Sequence, residues 1–341
     1  MQVSTIGIDL AKSVFQVHGI DAVGKVTITK QLRRSQVLPL FAKLPRCLIG
    51  MEACSTSHHW ARELKALGHD VRLMPASYVK AYVKRNKNDA ADAAAICEAV
   101  TRPTMRFVPI KSPEQQSILM LHRTRDLLVR QRTQLVNAMR AHLAELGLVA
   151  PRGGEGLQAL IIVVRDGTDE LPDLARKALQ ALLGQLDALA RQISEIERDI
   201  QAQHRLSEAS RRLETIPGIG IIGATAIAAT ITDPTIFKSG REFAAWIGLV
   251  PRQNSTGGKE RLGSISKQGD RYLRRLLIVG ATAVIRQART HPDKHPWLIQ
   301  LLARRPAKVV AVALANKTAR IAWAVLARGG TYRAPVLAAR A

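Results

Sequence analysis

The hydrophobic pattern of the first hundred residues alternates short β-type runs with turns and helical stretches. Runs rich in β-branched residues predict an antiparallel meander of three strands, after which helices alternate with apolar strands. The predicted strands are 2–9, 14–21, 25–30, 47–51 and 70–74, and the predicted helices are 36–43 and 57–67. A sheet that begins as a meander and continues with α/β crossovers is expected in a mixed α/β domain.

Beyond residue 112 the pattern changes to long helices. Ser112 and Pro113 have the order of an N-cap and a first helical residue, and the helix is predicted to reach Gly147. A second long helix, after Pro172, has apolar residues at alternating three- and four-residue steps, namely Leu179, Leu182, Leu186, Leu189, Ile193, Ile196 and Ile200. This predicts an antiparallel coiled coil, with the glycine-rich residues 149–171 as its tip or a loop.

The last third of the chain is predicted to be mostly α-helical. Its predicted helices are 222–231, 240–247, 267–289 and 307–328. The sequence therefore divides into three predicted domains, which are an α/β domain (1–111), a coiled-coil hairpin (112–206) and a basic helical domain (207–341).

The chain is strongly basic, and its charge is unevenly distributed. The formal net charge is +24 and the isoelectric point about 10.9, which excludes an ordinary metabolic enzyme and indicates a polyanionic partner such as nucleic acid. Residues 1–112 carry 17 Lys and Arg against 8 Asp and Glu, residues 113–250 carry 16 of each, and residues 251–341 carry 18 against 3. A neutral helical middle suits protein–protein contact, so we expect a homo-oligomer, although an intramolecular bundle would explain the same pattern.

Composition argues against a membrane partner and against a zinc site. We find no N-terminal signal pattern and no uninterrupted apolar run near the roughly 20 residues of a spanning helix, which predicts a cytoplasmic protein. The three cysteines lack C-x-x-C spacing and are expected to be reduced and structural. The four tryptophans are isolated and are expected in the core; they are Trp60, Trp246, Trp297 and Trp323.

Two acids end predicted strands in the first region. Asp9 follows Ile6-Gly7-Ile8, and Glu52 ends the strand that contains Ile49-Gly50-Met51. A charge beside an apolar run is costly unless it holds a metal or a partner. Two-metal phosphodiester chemistry requires converging carboxylates, and Mg²⁺ prefers oxygen ligands. We therefore expect Asp9 and Glu52 to meet at one edge of the sheet.

A second acidic pair begins a predicted helix within a basic stretch. Asp89 and Asp92 are three residues apart and so share one helix face, and the three alanines that follow would let the helix approach the sheet closely. The pair could supply further metal ligands. Taken alone, the residues favour a plainer interpretation, in which Asp89 is the N-cap and Asp92 interacts with the helix dipole.

Three motifs, in this order, resemble a known family. They are Ile6-Gly7-Ile8-Asp9 with Ala11-Lys12, then Met51-Glu52-Ala53-Cys54, then residues 85–92 ending in Asp89-Ala90-Ala91-Asp92. Together they are similar to the DEDD transposases of the bacterial insertion-sequence family IS110, including its IS1111 branch. The resemblance implies an RNase H-like (RuvC-like) nuclease domain in which Asp9, Glu52, Asp89 and Asp92 bind Mg²⁺ and catalyse.

A glycine-rich turn opens the basic C-terminal region. Pro217-Gly218-Ile219-Gly220 precedes a predicted helix, as in a helix-hairpin-helix. The backbone N–H groups of Gly218 and Gly220 could bind a DNA phosphate without reading sequence. A simple connecting turn fits the same residues equally well.

Residues 248–275 form a basic segment with hydroxyl groups on a glycine loop. Such a hydroxyl can reach a phosphate, and flanking cations can stabilise the charge that develops there. The stretches 255–259 and 265–269 extend the resemblance, which implies that Ser255 is a nucleophile joined covalently to DNA, with Thr256 as the alternative. The expected phosphate contacts are Arg252, Lys259, Arg261, Lys267, Arg271, Arg274 and Arg275.

The resemblance covers about residues 3–110 and 210–330 and implies cleavage and strand exchange of insertion-sequence DNA at the bacterial nucleoid. It also implies that the acids and the serine complete one composite site, across protomers of a dimer or tetramer. A structured noncoding RNA of the element is implied as a guide that pairs with donor and target DNA. Nothing in the residues independently indicates RNA guidance, because the charge fits DNA alone as well as RNA with DNA.

Three other functions fit parts of the sequence. Residues 6–13 also resemble the first phosphate loop of actin-like ATPases, although no second phosphate motif follows. A RuvC-like Holliday-junction resolvase would use the acids alone, and a decayed copy would only bind DNA. Neither the resolvase nor the decayed copy would form a covalent DNA–protein adduct, so the adduct distinguishes both from a serine-dependent transposase.

Overall fold

A mixed five-stranded sheet organises the first part of the chain in the computed structural model, which describes residues 2–84, 88–166 and 171–334. The strands are β1 (Thr5–Leu10), β2 (Val14–Ile20), β3 (Val26–Arg33), β4 (Leu48–Glu52) and β5 (Asp70–Met74). Their order in the sheet is β3-β2-β1-β4-β5. The first three strands pair antiparallel, whereas β1 pairs parallel with β4 and β4 with β5. The predicted meander followed by crossovers is confirmed.

Helices cover both faces of this sheet. They are α1 (Val37–Phe41), α2 (Ser57–Ala66), α3 (Ala76–Val79) and α4 (Asp89–Val100). Ile6 and Ile8 of β1 are buried in a cluster with Phe41 of α1 and Trp60 of α2. Side chains alternate between the faces of a strand, so Gly7 and Asp9 belong to the opposite face. Helix α4 packs on that face, against β1, β2 and β4.

The chain divides into two compact units, residues 1–114 and 115–341. The second unit is mostly helical, as predicted. Its helices are α5 (Pro113–Ala144), α6 (Gly154–Asp166), α7 (Asp173–Leu206), α8 (Glu208–Glu214), α9 (Ile221–Thr230), α10 (Gly240–Trp246), α11 (Arg271–Thr290), α12 (Pro296–Arg304) and α13 (Ala307–Arg328). Two short strands, β6 (Pro251–Gln253) and β7 (Leu262–Ile265), form an antiparallel hairpin. The separate domain proposed for residues 112–206 remains a prediction.

The segment between the two long helices is itself helical. The prediction of a loop was wrong for α6, whose buried residues Leu160, Ile161 and Val164 have helical spacing that the surrounding glycines obscured. These residues pack in one cluster with side chains of α5 and α7. Every seventh residue of the predicted α7 stripe is buried, namely Leu179, Leu186, Ile193 and Ile200. The coiled-coil interpretation of this stripe remains a prediction.

One described helix, α13, is long and apolar enough to cross a membrane by length and composition alone. Lys308, Lys317 and Arg320 interrupt its apolar sequence, so it is not an uninterrupted apolar run. Of its most apolar window, 44% is buried inside the structure, and the helix packs against α10 and α11. Its exposed positions include Lys317, Arg320 and Arg328. These are the contacts of a core helix, and its outward face is basic.

A buried histidine connects α5 with two other helices of the second unit. His122 is 1% exposed. Its Nδ1 lies 3.1 Å from the Tyr272 hydroxyl at the start of α11, and its Nε2 lies 3.0 Å from Thr225 Oγ1 of α9. Burial, together with the nearby Arg125 guanidinium, lowers the pKa of His122 to about 4. The ring is therefore neutral in the folded protein at physiological pH.

We predict that this histidine makes stability fall in mild acid. Since the pKa of His122 is about 4 when folded and near 6.5 when unfolded, the unfolded chain binds the proton first as the pH falls. The free energy of unfolding should therefore decrease by up to about 3 kcal/mol as the pH falls from 6.5 to 4. Below pH 4 this group should cause no further decrease. Urea unfolding across this range should show a flatter pH dependence for His122→Gln.

The matched control is His142→Gln, on the exposed surface of the same helix. If the free energy of unfolding changed with pH equally in the wild type and in His122→Gln, the buried ring would not be the cause of the acid sensitivity.

Candidate metal centre and basic hairpin

Two glycines allow α4 to lie directly on the sheet. A Cβ added to Gly7 would stand 2.2 Å from the Ala93 carbonyl oxygen and 2.4 Å from the Cys97 amide nitrogen, both in the α4 backbone. A Cβ added to Gly50 of β4 would stand 2.8 Å from Val100 Cβ. The expected close approach of the alanine-rich helix is therefore confirmed, and glycine on the strands makes it possible.

Three of the four predicted acids come together where α4 begins. Oxygen atoms of Asp9, Asp89 and Asp92 all lie within 4.8 Å of one another. Asp9 is two residues after Gly7 and therefore lies on the face of β1 that α4 covers. Asp89 and Asp92 occupy the first turn of α4. The first strand and the fourth helix thus supply one carboxylate cluster from residues eighty positions apart in the chain.

The fourth acid, Glu52, is not one of these three. It is the last residue of β4, which runs parallel to β1 with Ile8 opposite Met51. The register therefore places Glu52 next to Asp9 at the carboxyl edge of the sheet, on the face of β4 to which Gly50 belongs. The side chain of Glu52 is half-buried. It stands beside the three-carboxylate cluster, at the edge where the sequence predicted it.

The plainer interpretation of Asp89 as an N-cap was wrong. Asn88 caps α4, since its side-chain oxygen accepts a hydrogen bond of 2.8 Å from the Ala91 N–H. Asp89 and Asp92 lie inside the helix, where its N-terminal partial charge stabilises carboxylates. Capping therefore does not account for Asp89, and its side chain is available for another role. An asparagine three residues before Ala91 was the sequence signal for this cap.

The arrangement suits a hard divalent cation. Oxygens that share one Mg²⁺ at about 2.1 Å are separated by at most about 4.2 Å, so only small side-chain rotations separate the present cluster from a ligand set. The donors are all carboxylates, which favour Mg²⁺ over zinc. His58 follows Glu52 closely in sequence, but its Nδ1 accepts a hydrogen bond of 3.2 Å from the Lys111 N–H. This hydrogen bond connects α2 with the segment before α5.

The predicted nucleophile lies in the β6–β7 hairpin of the second unit. Ser255 follows β6 and is fully on the surface, and its Oγ accepts a hydrogen bond of 3.1 Å from the Arg261 N–H. Thr256 and Lys259 form an isolated bridge that closes the turn over two glycines with positive φ, Gly257 and Gly258. The segment predicted as a flexible loop is thus a hairpin with an exposed serine near its tip.

Arg274, expected to contact phosphate, holds the base of this hairpin instead. It is 9% exposed, and one guanidinium nitrogen donates hydrogen bonds of 2.7 Å to the carbonyls of Ile247 and Gln268. A buried guanidinium whose N–H groups are used in this way has no free face for DNA, so the expectation was wrong for this residue. The sequence signal for its burial was its position on α11, because Arg274 precedes the buried Leu277 by three residues and so lies on the same helix face.

Six other expected phosphate contacts lie on the surface. Of these, Arg275 forms an ion pair with Asp126 and lies over the Tyr272 ring, 5.3 Å from its centroid. The Arg252 guanidinium donates to the Ser266 carbonyl at 3.3 Å and is otherwise exposed. The remaining four are exposed in the hairpin, in the turn after it and at the first residue of α11, namely Lys259, Arg261, Lys267 and Arg271. These surface cations give the hairpin a strongly positive face.

The glycine turn of residues 215–220 connects α8 with α9, in the order of a helix-hairpin-helix. Gly218 has a φ of 87° and packs against Gly280 of α11, where a Cβ on Gly280 would stand 1.8 Å from the Gly218 carbonyl oxygen. Gly220 is exposed at the N-cap of α9. The turn therefore has a packing role at Gly218 and an accessible backbone at Gly220.

Comparison with known proteins decides the family. One family model, a DEDD transposase model of the IS110 type, matches residues 6–147, and the model of the transposase IS116/IS110/IS902 family matches residues 210–295. A probable family 20 transposase of Pseudomonas aeruginosa is 52% identical over 98% of this chain and 99% of its own length. The chain belongs to the IS110 family of transposases.

Further relatives of this transposase are of similar length. The transposase for insertion sequence element IS1328 of Yersinia enterocolitica is 42% identical over 97% of this chain and 98% of the relative. The transposase for IS1111A of Coxiella burnetii is 40% identical over 97% and 92%. The resemblance drawn from the three acidic motifs is confirmed, and with it the identification as a transposase.

We predict that Gly7→Ala disperses the carboxylate cluster of this transposase. The added methyl group would collide with the α4 backbone, which cannot rotate away as a side chain does. Overpacking of this kind costs about 1–3 kcal/mol. Chemical unfolding should show that loss, and DNA cleavage should fall further than stability does because α4 carries Asp89 and Asp92.

Gly184→Ala on α7 is the matched control, since nothing lies within 4 Å of a Cβ there. Unchanged cleavage by a folded Gly7→Ala variant would contradict the assigned role of this contact.

Proposed function

We propose that this transposase cleaves and rejoins insertion-sequence DNA with two sets of residues. Asp9, Glu52, Asp89 and Asp92 hold Mg²⁺ and form one set, and Ser255 is the nucleophile. The convergence of Asp9, Asp89 and Asp92 oxygens within 4.8 Å is the observation that carries the proposal. The sheet order, with an antiparallel meander followed by two parallel strands, supports an RNase H-like (RuvC-like) domain around these acids.

The carboxylates would hold the ions against the scissile phosphodiester. Divalent ions bound in such a site stabilise negative charge on phosphate oxygens and on the leaving oxygen. The protein contributes fixed positions for the ligands, because Gly7 of β1 packs directly against the α4 backbone. The all-oxygen donor set supports Mg²⁺ as the native ion.

The serine supplies the covalent step. Ser255 Oγ attacks the phosphorus atom and forms a phosphoserine ester while the bond to one bridging oxygen breaks. The hydroxyl proton is lost from Oγ, and the departing nucleoside oxygen gains a proton. Attack by a hydroxyl group of a second DNA strand reverses the chemistry and releases the serine. The phosphodiester energy is conserved, so no nucleotide cofactor is consumed.

Surface cations of the hairpin would hold the DNA backbone. The proposal retains Arg252, Lys259, Arg261, Lys267, Arg271 and Arg275, together with the backbone at Gly218 and Gly220, and omits the buried Arg274. Contacts of this kind are independent of sequence and weaken as salt rises. Choice of sequence would then come from a structured RNA of the element that pairs with donor and target DNA. The net charge of +24 supports a polyanionic partner and fits DNA alone as well as DNA with RNA.

We further propose that the transposase acts in the bacterial cytoplasm as a homo-oligomer. Apolar side chains remain on the surface of α5, where Met120 and Leu127 are 60% and 46% exposed. Burying such residues against another copy would be favourable. In such an assembly the serine and the acids that act on one phosphate can belong to different protomers.

We predict that Asp9→Asn and Asp89→Asn each abolish DNA cleavage while DNA binding persists. Each change removes a negative ligand and preserves side-chain size, so losses of at least about a hundredfold in rate are expected with little change in substrate affinity. Cleavage of element-end DNA in Mg²⁺, with binding measured in Ca²⁺, would check both effects.

Glu98→Gln is the matched control, because Glu98 is exposed on the same helix and pairs with Arg102 there. Cleavage at the wild-type rate by Asp9→Asn would rule out the metal centre. ATP hydrolysis without DNA cleavage by the wild type would favour the actin-like alternative.

We predict that Ser255→Ala abolishes a covalent DNA–protein adduct. The Ser255 hydroxyl is the group that joins to phosphorus. The hydroxyl of Thr256 could replace it only if the hairpin shifted by one residue. Denaturing gels of the protein with labelled element DNA should show the adduct for wild type and none for the variant.

Ser264→Ala, on exposed β7 of the same hairpin, is the control and should retain the adduct. An adduct with Ser255→Ala that disappears in Thr256→Ala would move the nucleophile to Thr256. DNA cleavage without any adduct would favour the resolvase alternative.

A further inference from the structure

Two adjoining hollows lie on the second unit, on a surface formed by α10, α12, α13 and the segment after α13. The first has a volume of about 250 Å³ and is lined by apolar side chains, by Trp297 and Tyr332, and by the polar residues Lys294, His295, Lys317 and Thr318. The second is an open cleft of about 790 Å³. Trp297, Lys317 and Ile321 line both, so the two hollows adjoin at these residues. We call them together the Trp297 surface.

The open cleft is basic. Lys317, Arg320 and Arg328 recur on one face of α13 at steps of three and eight residues, and Arg241 lies opposite them at the start of α10. All four are exposed. Among the described residues that line the two hollows, none is Asp or Glu. The charge of the cleft is therefore complementary to a phosphate backbone.

The lining of the smaller hollow suits an aromatic group. Trp297 is 42% exposed, so the expectation that it belongs to the core was wrong. Tyr332 is fixed in place by a hydrogen bond of 2.9 Å from its N–H to Thr215 Oγ1. Leu314 and Ile321 contribute apolar walls. Transfer of an unpaired base from water into this hollow would be favourable, because the base would stack on an aromatic ring and bury its apolar faces.

A lysine stands at the junction of the hollows. Lys317 Nζ lies 4.4 Å from the centroid of the Trp297 ring. An exposed cation–π contact of this kind is weaker than stacking of a base on an aromatic ring. An entering base can therefore displace the ammonium from the ring, and the ammonium is then free to contact the adjoining phosphate.

We propose that the Trp297 surface binds a single-stranded stretch of nucleic acid. One unpaired base stacks on Trp297 in the smaller hollow, and the flanking phosphates contact Lys317, Arg320, Arg241 and Arg328 in the cleft. A continuous duplex keeps its bases stacked inside and cannot fill the hollow. The surface shares no residue with the β6–β7 hairpin, so the inference goes beyond the proposed catalytic function and does not depend on the acids or on Ser255.

The test uses quenching of tryptophan fluorescence in the full-length protein. Short oligothymidylate, oligouridylate and a DNA duplex of the same length are titrated at one salt concentration. We expect both single strands, or one of them, to quench the part of the fluorescence that is lost in Trp297→Ala. The duplex, which the hairpin can bind, should leave that part unchanged. Trp297→Ala should weaken single-strand binding about tenfold or more, and Trp297→Phe, which retains a ring, should retain most of the affinity.

Matched variants separate this site from general effects. Trp246→Phe removes another exposed tryptophan, and Arg191→Gln removes an exposed cation on α7; both should bind as wild type does. Lys317→Gln and Arg320→Gln should each weaken binding and reduce the slope of log affinity against log salt by about one. Asp9→Asn should bind normally, which distinguishes failure of this site from failure of the catalytic proposal.

Three results would overturn the inference. They are equal quenching of the Trp297 fluorescence by single strands and duplex, unchanged single-strand affinity in Trp297→Ala, and equal losses of affinity in Lys317→Gln and Arg191→Gln. Preference for oligouridylate over oligothymidylate would assign the site to RNA, and the reverse preference to an unpaired DNA strand. Both of these outcomes support the proposal.

Discussion

The contact between α4 and β1 is the constraint on which the candidate metal centre depends. A helix can approach a strand this closely only where the strand has no side chain, and Gly7 and Gly50 provide that gap. The helix then lies so near that the first turn of α4 reaches the end of β1. Three carboxylates would repel one another in this arrangement, and the N-terminal partial charge of α4 offsets part of that cost. A bound cation would offset the rest.

The basic hairpin depends on a different kind of constraint. Its base is fixed by close backbone packing and by one buried guanidinium, since Gly269 would collide with the Trp246 carbonyl if it carried a Cβ, and Arg274 bridges two loop carbonyls. The tip, by contrast, is exposed and rich in glycine. A rigid base with an accessible tip suits a side chain that must be presented to a large substrate such as DNA.

In the second unit, the role of each basic residue depends on whether its side chain is buried, paired or exposed. Basic residues of the same stretch differ in role, because Arg274 is buried and hydrogen-bonded, Arg275 is paired with Asp126, and Lys259 is exposed. On α13 the same principle separates an apolar face that packs in the core from a face that carries Lys317 and Arg320. The overall excess of positive charge thus becomes two distinct exposed surfaces, the hairpin and the Trp297 surface.

The sequence by itself determined the antiparallel meander of the first unit, the crossovers that follow it, most of the helices and the family. Period-two patterns and strand-end acids identify Asp9 and Glu52, and the spacing of Asp89 and Asp92 identifies a shared helix face. The tertiary structure decided what local patterns do not encode. Asn88 rather than Asp89 caps α4, residues 154–166 are helical, Arg274 is a structural clamp, and Trp297 is exposed. The exposure of Trp297 depends on which distant residues cover it, and composition and spacing do not contain that information. The Asn88 cap, the α6 spacing and the register of Arg274 are local signals, but the sequence fitted other interpretations of them equally well, and the folded structure decided among these.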